Sequence, residues 1–312
     1  KEDASRIGTF IGTGIGGIIT TEATVERIEK RGPTKVNPFA VPMMIANMPS
    51  AHISIHFGLE GPVLTDVTAC ASGNNAIGQA ARMIQYGDAD IMFAGGTEAA
   101  VSKAPMAGFA AMKALSSRDC APEEASCPFD ARRDGFVMGE GSGILILEEY
   151  EPAVARGAHI YAELAGYGTN GDAYHITAPR PDGVTQVRCM RNALADAGIA
   201  PEEVSYVNAH GTSTHLNDLT ETASMKKRSN EKVAHLIRRE RMLAVNCTDN
   251  SYMVNLSTMN GAEFDNEVSY MNVINDNLVS CDNLDGTISV YDGETGELLT
   301  DLPDGVGGNL ET

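Results

Sequence analysis

Residues 63–97 read VLTDVTACASGNNAIGQAARMIQYGDADIMFAGGT, and this stretch decides the fold. It spells strand, sharp turn, small-residue helix, turn, strand. Leu64 to Thr68 is β-prone, and Cys70 sits where strand gives way to helix. From Ala76 on, apolar residues recur at Ala76, Ile77, Ala80, Ala81 and Ile84, the spacing of one helix face. Tyr86-Gly87-Asp88 ends the helix, and Ile91 to Ala94 supplies the next strand before Gly95-Gly96. Cys70 thereby falls at a helix N-terminus, where unpaired N–H groups and the helix dipole favour a thiolate. A lone cysteine is more often a buried structural thiol. The position alone leaves both readings open.

A second stretch, VSYVNAHGTST at 204–214, changes the balance. The β-prone run Val204 to Val207 delivers His210 into a loop of Gly and hydroxyl residues, a usual way to present an imidazole to a cleft. A helix-start cysteine and a strand-end histidine together suggest a nucleophile and a base.

Composition narrows the class. At 312 residues, 43% hydrophobic and with 32 glycines, the chain suits an α/β protein with one large or two medium cores. No apolar run approaches the ~20 residues of a membrane span. The six cysteines at 70, 120, 127, 189, 247 and 281 form no CxxC pair, so neither zinc nor a disulfide framework is indicated. That usage fits a reducing cytoplasm. The first residue is Lys1 and no signal-peptide pattern follows, which reads as a chain clipped at its start. The net charge of −19 speaks against nucleic-acid binding. Its distribution says more: residues 242–312 hold thirteen Asp and Glu and no Lys or Arg, whereas the first 241 residues hold 29 acidic and 23 basic groups.

Three ordered motifs, TACASG (68–73), GFVMGEGSGILILE (135–148) and VNAHGTST (207–214), resemble the β-ketoacyl-acyl-carrier-protein synthases, closest to the type II elongating enzymes. The resemblance spans about residues 7–221. It implies a thiolase-like α/β fold of layered α-β-α-β-α type, incomplete at the N-terminus and divergent at the C-terminus. Residues 1–158 would be the N-terminal half without its first strands, 159–221 the start of the C-terminal half, and 222–312 an unmatched acidic tail. By that resemblance Cys70 carries the acyl group, and His210 stabilises the enolate formed when malonyl-ACP decarboxylates. Thr212 and Thr214 bind the phosphopantetheine arm, Ile15 and Phe109 line the acyl pocket, and Lys35 and Lys113 meet the acyl carrier protein. Asp218 and Glu221 support the site. No cofactor or metal is implied, since the substrates ride on the carrier's phosphopantetheine. The resemblance also implies a cytoplasmic enzyme of fatty-acid biosynthesis. It implies a two-fold homodimer, in which the strand Ile91 to Ala94 pairs with its symmetry mate.

Elsewhere the chain reads more weakly. RIGTFIGTGIGGII (6–19) is a strand entering a glycine-rich turn, and GTGIGG looks superficially like a phosphate loop. A strand is expected from His159, a helix over 183–197, and a further helix over 219–241 that includes His235. Residues 285–305 read as a β-hairpin. After residue 226 a second catalytic histidine, a lysine and a glycine-rich phenylalanine loop, which the resemblance would lead one to expect, have no match. Condensation is therefore expected to suffer more than acyl transfer. The rival readings are a non-catalytic ketosynthase-like partner, against which the presence of Cys70 weighs, and an acyl-binding scaffold.

Overall fold

The computed structural model describes residues 3–226 in full, the end of a helix that closes at Arg228, and the backbone of eight strands between 233 and 302. The chain gathers into two compact units that interleave along the sequence. Unit 1 comprises residues 1–125, 135–169 and 196–198; unit 2 comprises 126–134, 170–195 and 199–312.

Unit 1 is built on a mixed sheet. In chain order its elements are β1 (Ile7–Gly12), α1 (Ile18–Arg31), α2 (Ala40–Met44), α3 (Met48–Phe57), β2 (Val63–Leu64), α4 (Ser72–Gln85), β3 (Ile91–Glu98), α5 (Lys103–Ala111), α6 (Pro122–Ala125), β4 (Gly141–Glu148) and α7 (Tyr150–Ala155). The strands lie in the order β2-β1-β3-β4. β1 runs parallel to β2 and β3, and β4 closes the row antiparallel to β3, with Ile91 opposite Glu148 and Glu98 opposite Gly141.

α4 packs on this sheet through its small residues. Ala76 and Ala80 are fully buried with Phe10, Met92 and Ala94, and Ile77, Met83, Ile84 and Leu147 close around them. The face expected from the apolar spacing is the face that is buried. Its start lies so close to the sheet that glycine is required. A Cβ on Gly12 would stand 2.2 Å from the Ser72 carbonyl oxygen, and Gly73 and Gly96 meet Cα to backbone. Gly12→Ala is accordingly expected to cost about 1–3 kcal/mol, as overpacking against rigid backbone does. A lowered urea midpoint at unchanged slope would register it.

Four strand expectations need correction. β2 is two residues long where Leu64 to Thr68 was expected, because a side chain takes over the ladder. Ile11 N–H donates to Ser50 Oγ at 3.0 Å, and that hydroxyl donates to the Leu64 carbonyl at 2.5 Å. The stretch from His159 and the run Val204 to Val207 form no strand. Val204 N–H turns back to the Pro201 carbonyl at 3.2 Å, and β-propensity yields where no ladder partner is supplied. β3, finally, is interior to the sheet, with β1 on one side and β4 on the other. A dimer made by pairing Ile91 to Ala94 with its mate is therefore ruled out, since those backbone groups are already spent.

Unit 2 contains most of α8 (Val184–Ala197) and all of α9 (His215–Arg228), joined to irregular loops at 126–134, 170–183 and 199–214. Asp172 anchors its loop by accepting from Arg180 N–H at 2.6 Å and from the Thr185 hydroxyl. Ser224 on α9 is buried, with its hydroxyl 2.8 Å from Gln186 Oε1 on α8. The helix expected over 219–241 ends at Arg228, and His235 lies in a strand. From there the backbone runs as β5 (Val233–Arg239), β6 (Met242–Cys247), β7 (Ser251–Asn255), β8 (Asn260–Phe264), β9 (Val268–Asn275), β10 (Leu278–Asn283), β11 (Ile288–Asp292) and β12 (Leu298–Leu302). These form two antiparallel four-stranded sheets, β5-β6-β7-β8 and β12-β11-β10-β9. β11 and β12 pair antiparallel, as the hairpin reading of 285–305 requires; its turn, 293–297, lies outside the described residues. VAHLIRR pairs antiparallel with β6 along its length, from Val233 opposite Cys247 to Arg239 opposite Met242.

Candidate active-site residues

Cys70 sits in a single 3-10 turn, Ala69–Ala71, that feeds directly into α4. The turn begins with Ala69 at φ +52°, a left-handed conformation that costs a non-glycine residue of order 1 kcal/mol and persists only when its surroundings enforce it. Ser72 is the enforcer. Its hydroxyl accepts from Thr68 N–H at 2.8 Å and donates to the Ala69 carbonyl at 2.7 Å, tying both sides of the turn to the helix start. Asn75, one turn on, donates to Thr68 Oγ1 at 2.8 Å and accepts from the Tyr167 hydroxyl at 2.8 Å. The Tyr167 ring lies flat on α4 over Gly78, where a Cβ would come within 2.2 Å of it. The result is an exposed thiol on a forced turn, at the end of a helix whose dipole favours negative charge.

The glycine-rich loop beside this turn is not an empty phosphate cradle. Glu98, the last residue of β3, fills it. Its carboxylate accepts from Gly14 N–H at 2.8 Å, Ile15 N–H at 2.7 Å, Gly16 N–H at 3.3 Å and the Thr13 hydroxyl at 3.1 Å. Ile15 is consequently held with its side chain exposed. Phe109, on α5, packs edge-on against Phe136 with ring centroids 5.0 Å apart. Lys35 and Lys113 are exposed, the first closing a 3-10 turn and the second following α5 at φ +55°. All of these belong to unit 1.

Unit 2 gathers the rest. His210 is exposed, and its loop is clamped from α9: Glu221 accepts from His210 N–H at 2.7 Å with one oxygen and from Gly211 N–H at 2.9 Å with the other. The hydroxyls of Thr212 and Thr214 lie 2.8 Å apart, and Ser213 between them is buried at φ +64°. Asp218 is 1% exposed; it accepts from Phe129 N–H at 2.7 Å and faces Arg133 Nε at 3.5 Å. Arg133 also donates to the carbonyls of Asp130, Thr214 and His215. Asp218 and Glu221 thus act on loop backbone rather than as solvated helix-start charges. Among the described residues no cluster of His, Cys, Asp or Glu could hold a metal, and no helix is long and apolar enough to cross a membrane.

Sequence reasoning missed Glu98, Ser72 and Arg133. Only the β1–β3 register, which sets Gly12 opposite Gly96 and lets β3 run on to Glu98, shows why a carboxylate arrives at that loop.

Solved ketosynthases share this architecture. A type II polyketide ketosynthase, solved with its acyl-carrier protein and bound to the hexaketide, superposes with a TM-score of 0.71 at 41% identity, over 73% of this chain and 57% of that one. A beta-ketoacyl synthase from Burkholderia phymatum superposes with a TM-score of 0.67 at 38% identity, over 73% of this chain and 56% of the other. The fold is therefore of the thiolase-like α/β class.

Residues 1–153 match the beta-ketoacyl synthase N-terminal domain and residues 161–246 its C-terminal domain, and the chain belongs to the beta-ketoacyl synthase family. The match runs on past residue 221 into the strands of unit 2. The 3-oxoacyl-[acyl-carrier-protein] synthase 2 of Staphylococcus aureus is 52% identical over 236 residues, 76% of this chain and 58% of that protein. Its namesake from Synechocystis is 56% identical over 225 residues, 72% of this chain and 54% of that protein. The chain spans a little over half the length of these curated relatives.

Proposed function

We propose that the chain is a β-ketoacyl-ACP synthase of fatty-acid biosynthesis, with Cys70 as the acyl carrier. The Cys70 thiolate attacks the carbonyl of an acyl thioester on the carrier protein, and the phosphopantetheine sulfur leaves as a thiolate. A malonyl-carrier unit then loses CO2, and the resulting enolate carbon attacks the Cys70 thioester and frees the thiol. His210 stabilises the enolate oxygen, and the Cys70 N–H is one donor to the oxyanion. Thr212 and Thr214 take the phosphopantetheine, Ile15 and Phe109 the acyl chain, Lys35 and Lys113 the acidic carrier protein, while Asp218 and Glu221 hold the histidine loop. Within these 312 residues a second histidine, a lysine and a phenylalanine loop have no match. One lost oxyanion donor alone raises the barrier by ~3 kcal/mol, so condensation is the weaker half-reaction. The enzyme acts in the cytoplasm as a homodimer. Support for a dimer comes from the outer strand β2, whose Val63 and Leu64 are 39% and 43% exposed, since a second copy would cover that edge.

The observation that carries this reading is the exposed Cys70 on an enforced left-handed turn at a helix start. Limiting iodoacetamide followed by peptide mapping tests it. Cys70 is expected to be alkylated first and Cys189 to lag, because burial pushes the Cys189 thiol up from its ordinary value. Earlier modification of Cys120 or Cys127 would remove the main support for an activated nucleophile.

A further inference from the structure

β3 outruns its neighbour β1 by two residues, and the overhang places a carboxylate in the middle of a ring of donors. Four groups of the 13–16 loop point at Glu98, three of them consecutive backbone N–H groups. Such a run of N–H groups is a concavity built for an anion. The loop also touches the nucleophile turn. A Cβ on Gly14 would lie 3.1 Å from Glu98 Oε2 and 3.5 Å from the carbonyl oxygen of Ala69, the strained residue before Cys70. The Thr13 carbonyl, in turn, lies 3.2 Å from the Ser72 hydroxyl that enforces the turn.

We infer that Glu98 is a positioning residue for Cys70. Its carboxylate serves as a built-in anion that locks the 13–16 loop, and the loop buttresses the turn at 69–72. The mechanism of the proposed reaction makes no use of Glu98 as an acid or base, and none is needed. What the carboxylate supplies is acceptor capacity. Without it the Gly14 and Ile15 N–H groups converge with nothing to receive them, Gly16 N–H keeps only the Thr13 hydroxyl at 3.2 Å, and the loop must open toward water. Ile15 moves with the loop, so the wall it presents to an acyl chain shifts too. The inference rests on the reading of Cys70 as nucleophile, and its readouts are chosen to separate the two.

The experiment measures the rate constant for Cys70 alkylation by iodoacetamide in the full chain, for wild type, Glu98→Ala and Glu98→Gln. Each is assayed with sodium formate and, as control, with sodium chloride at equal ionic strength. Glu98→Ala is expected to react at least about tenfold more slowly, the scale of loss when a reacting group is mispositioned. Formate, a carboxylate small enough for the vacated seat, is expected to recover most of that loss, and chloride none. Glu98→Gln keeps one acceptor oxygen for Gly14 and Ile15 and is expected to stay within about threefold of wild type. Wild-type reactivity in Glu98→Ala, a loss in folded protein that formate does not relieve, or an equal loss in Glu98→Gln would each overturn the assignment.

Should Glu98→Ala not fold, amide exchange in Glu98→Gln decides. Gly14 and Ile15, which share the oxygen that glutamine keeps, must stay protected, and Gly16 retains the Thr13 hydroxyl as acceptor; loss of protection at Gly14 or Ile15 overturns the inference. If wild-type Cys70 alkylates no faster than Cys120, it is the nucleophile reading that fails, and the exchange pattern still judges Glu98.

Discussion

Replacing Cys70 with alanine is expected to abolish the acyl-enzyme. Incubation with a radiolabelled acyl thioester should leave counts on the wild-type chain and none on Cys70→Ala, a fall of about 10⁴-fold or more, as for other nucleophile deletions. Among the described cysteines no second thiol is placed to stand in. Cys189 is partly buried with its thiol pushed up, and neither Cys120 nor Cys127 starts a helix. His210→Ala should behave differently. The carboxylate of Glu221 binds the backbone of this loop, so trimming the ring leaves the loop in place. The variant should keep most of its acylation yet lose malonyl decarboxylation by about 10²–10⁴-fold, the usual weight of one positioned imidazole. Equal loss in both half-reactions would mean that His210 activates the thiol directly. Labelled Cys70→Ala would sink the assignment of the nucleophile altogether.

Asp218→Ala should be the most damaging substitution for stability, at about 3–5 kcal/mol, the cost of removing one partner of a buried ion pair. The carboxylate is almost wholly buried, and it satisfies Phe129 N–H at a residue held at φ +65°. Deletion leaves that donor without an acceptor and Arg133 without its counter-charge. Asp218→Asn keeps an acceptor for Phe129 and should cost less than half as much. Urea unfolding followed by circular dichroism measures both. Amide exchange should quicken first at 126–134 and 210–215, the two loops that Asp218 and Arg133 join. An unchanged midpoint for the alanine variant would show that this pair is incidental.

How much of this was legible in the sequence depended on how local the cause was. The α4 helix, its buried face and the place of Cys70 at its start follow from the spacing of Ala76, Ile77, Ala80 and Ile84. That pattern needs no partner to be read. β2 was misjudged because the group that ends its ladder is Ser50, thirteen positions before Val63 and on a helix. GTGIGG resembled a phosphate loop because its occupant, Glu98, is more than eighty residues away. The run 204–207 has strand composition yet finds no ladder partner. The reading of 219–241 as one helix failed at Arg228, since the segment beyond it pairs with β6, a partner that the composition of HLIRRER does not announce. Asp218 and Glu221 could be picked out by resemblance. Their hold on the Phe129 and His210 backbones could not, because neither contact is local.

The interleaving of the two units bears on how the chain is made. The polypeptide changes unit five times, after residues 125, 134, 169, 195 and 198. A ribosome that has released 158 residues has emitted every strand of the first sheet but not Tyr167, which covers Gly78 and steadies Asn75. The nucleophile turn must therefore wait, partly assembled, while more of the chain emerges. At ~5–20 residues per second this interval is of the order of seconds, far longer than a helix needs to form. Nascent chains in that window carry Cys70 on a helix whose outer side is still wet. Neither unit corresponds to a stretch that could be clipped out and expressed by itself.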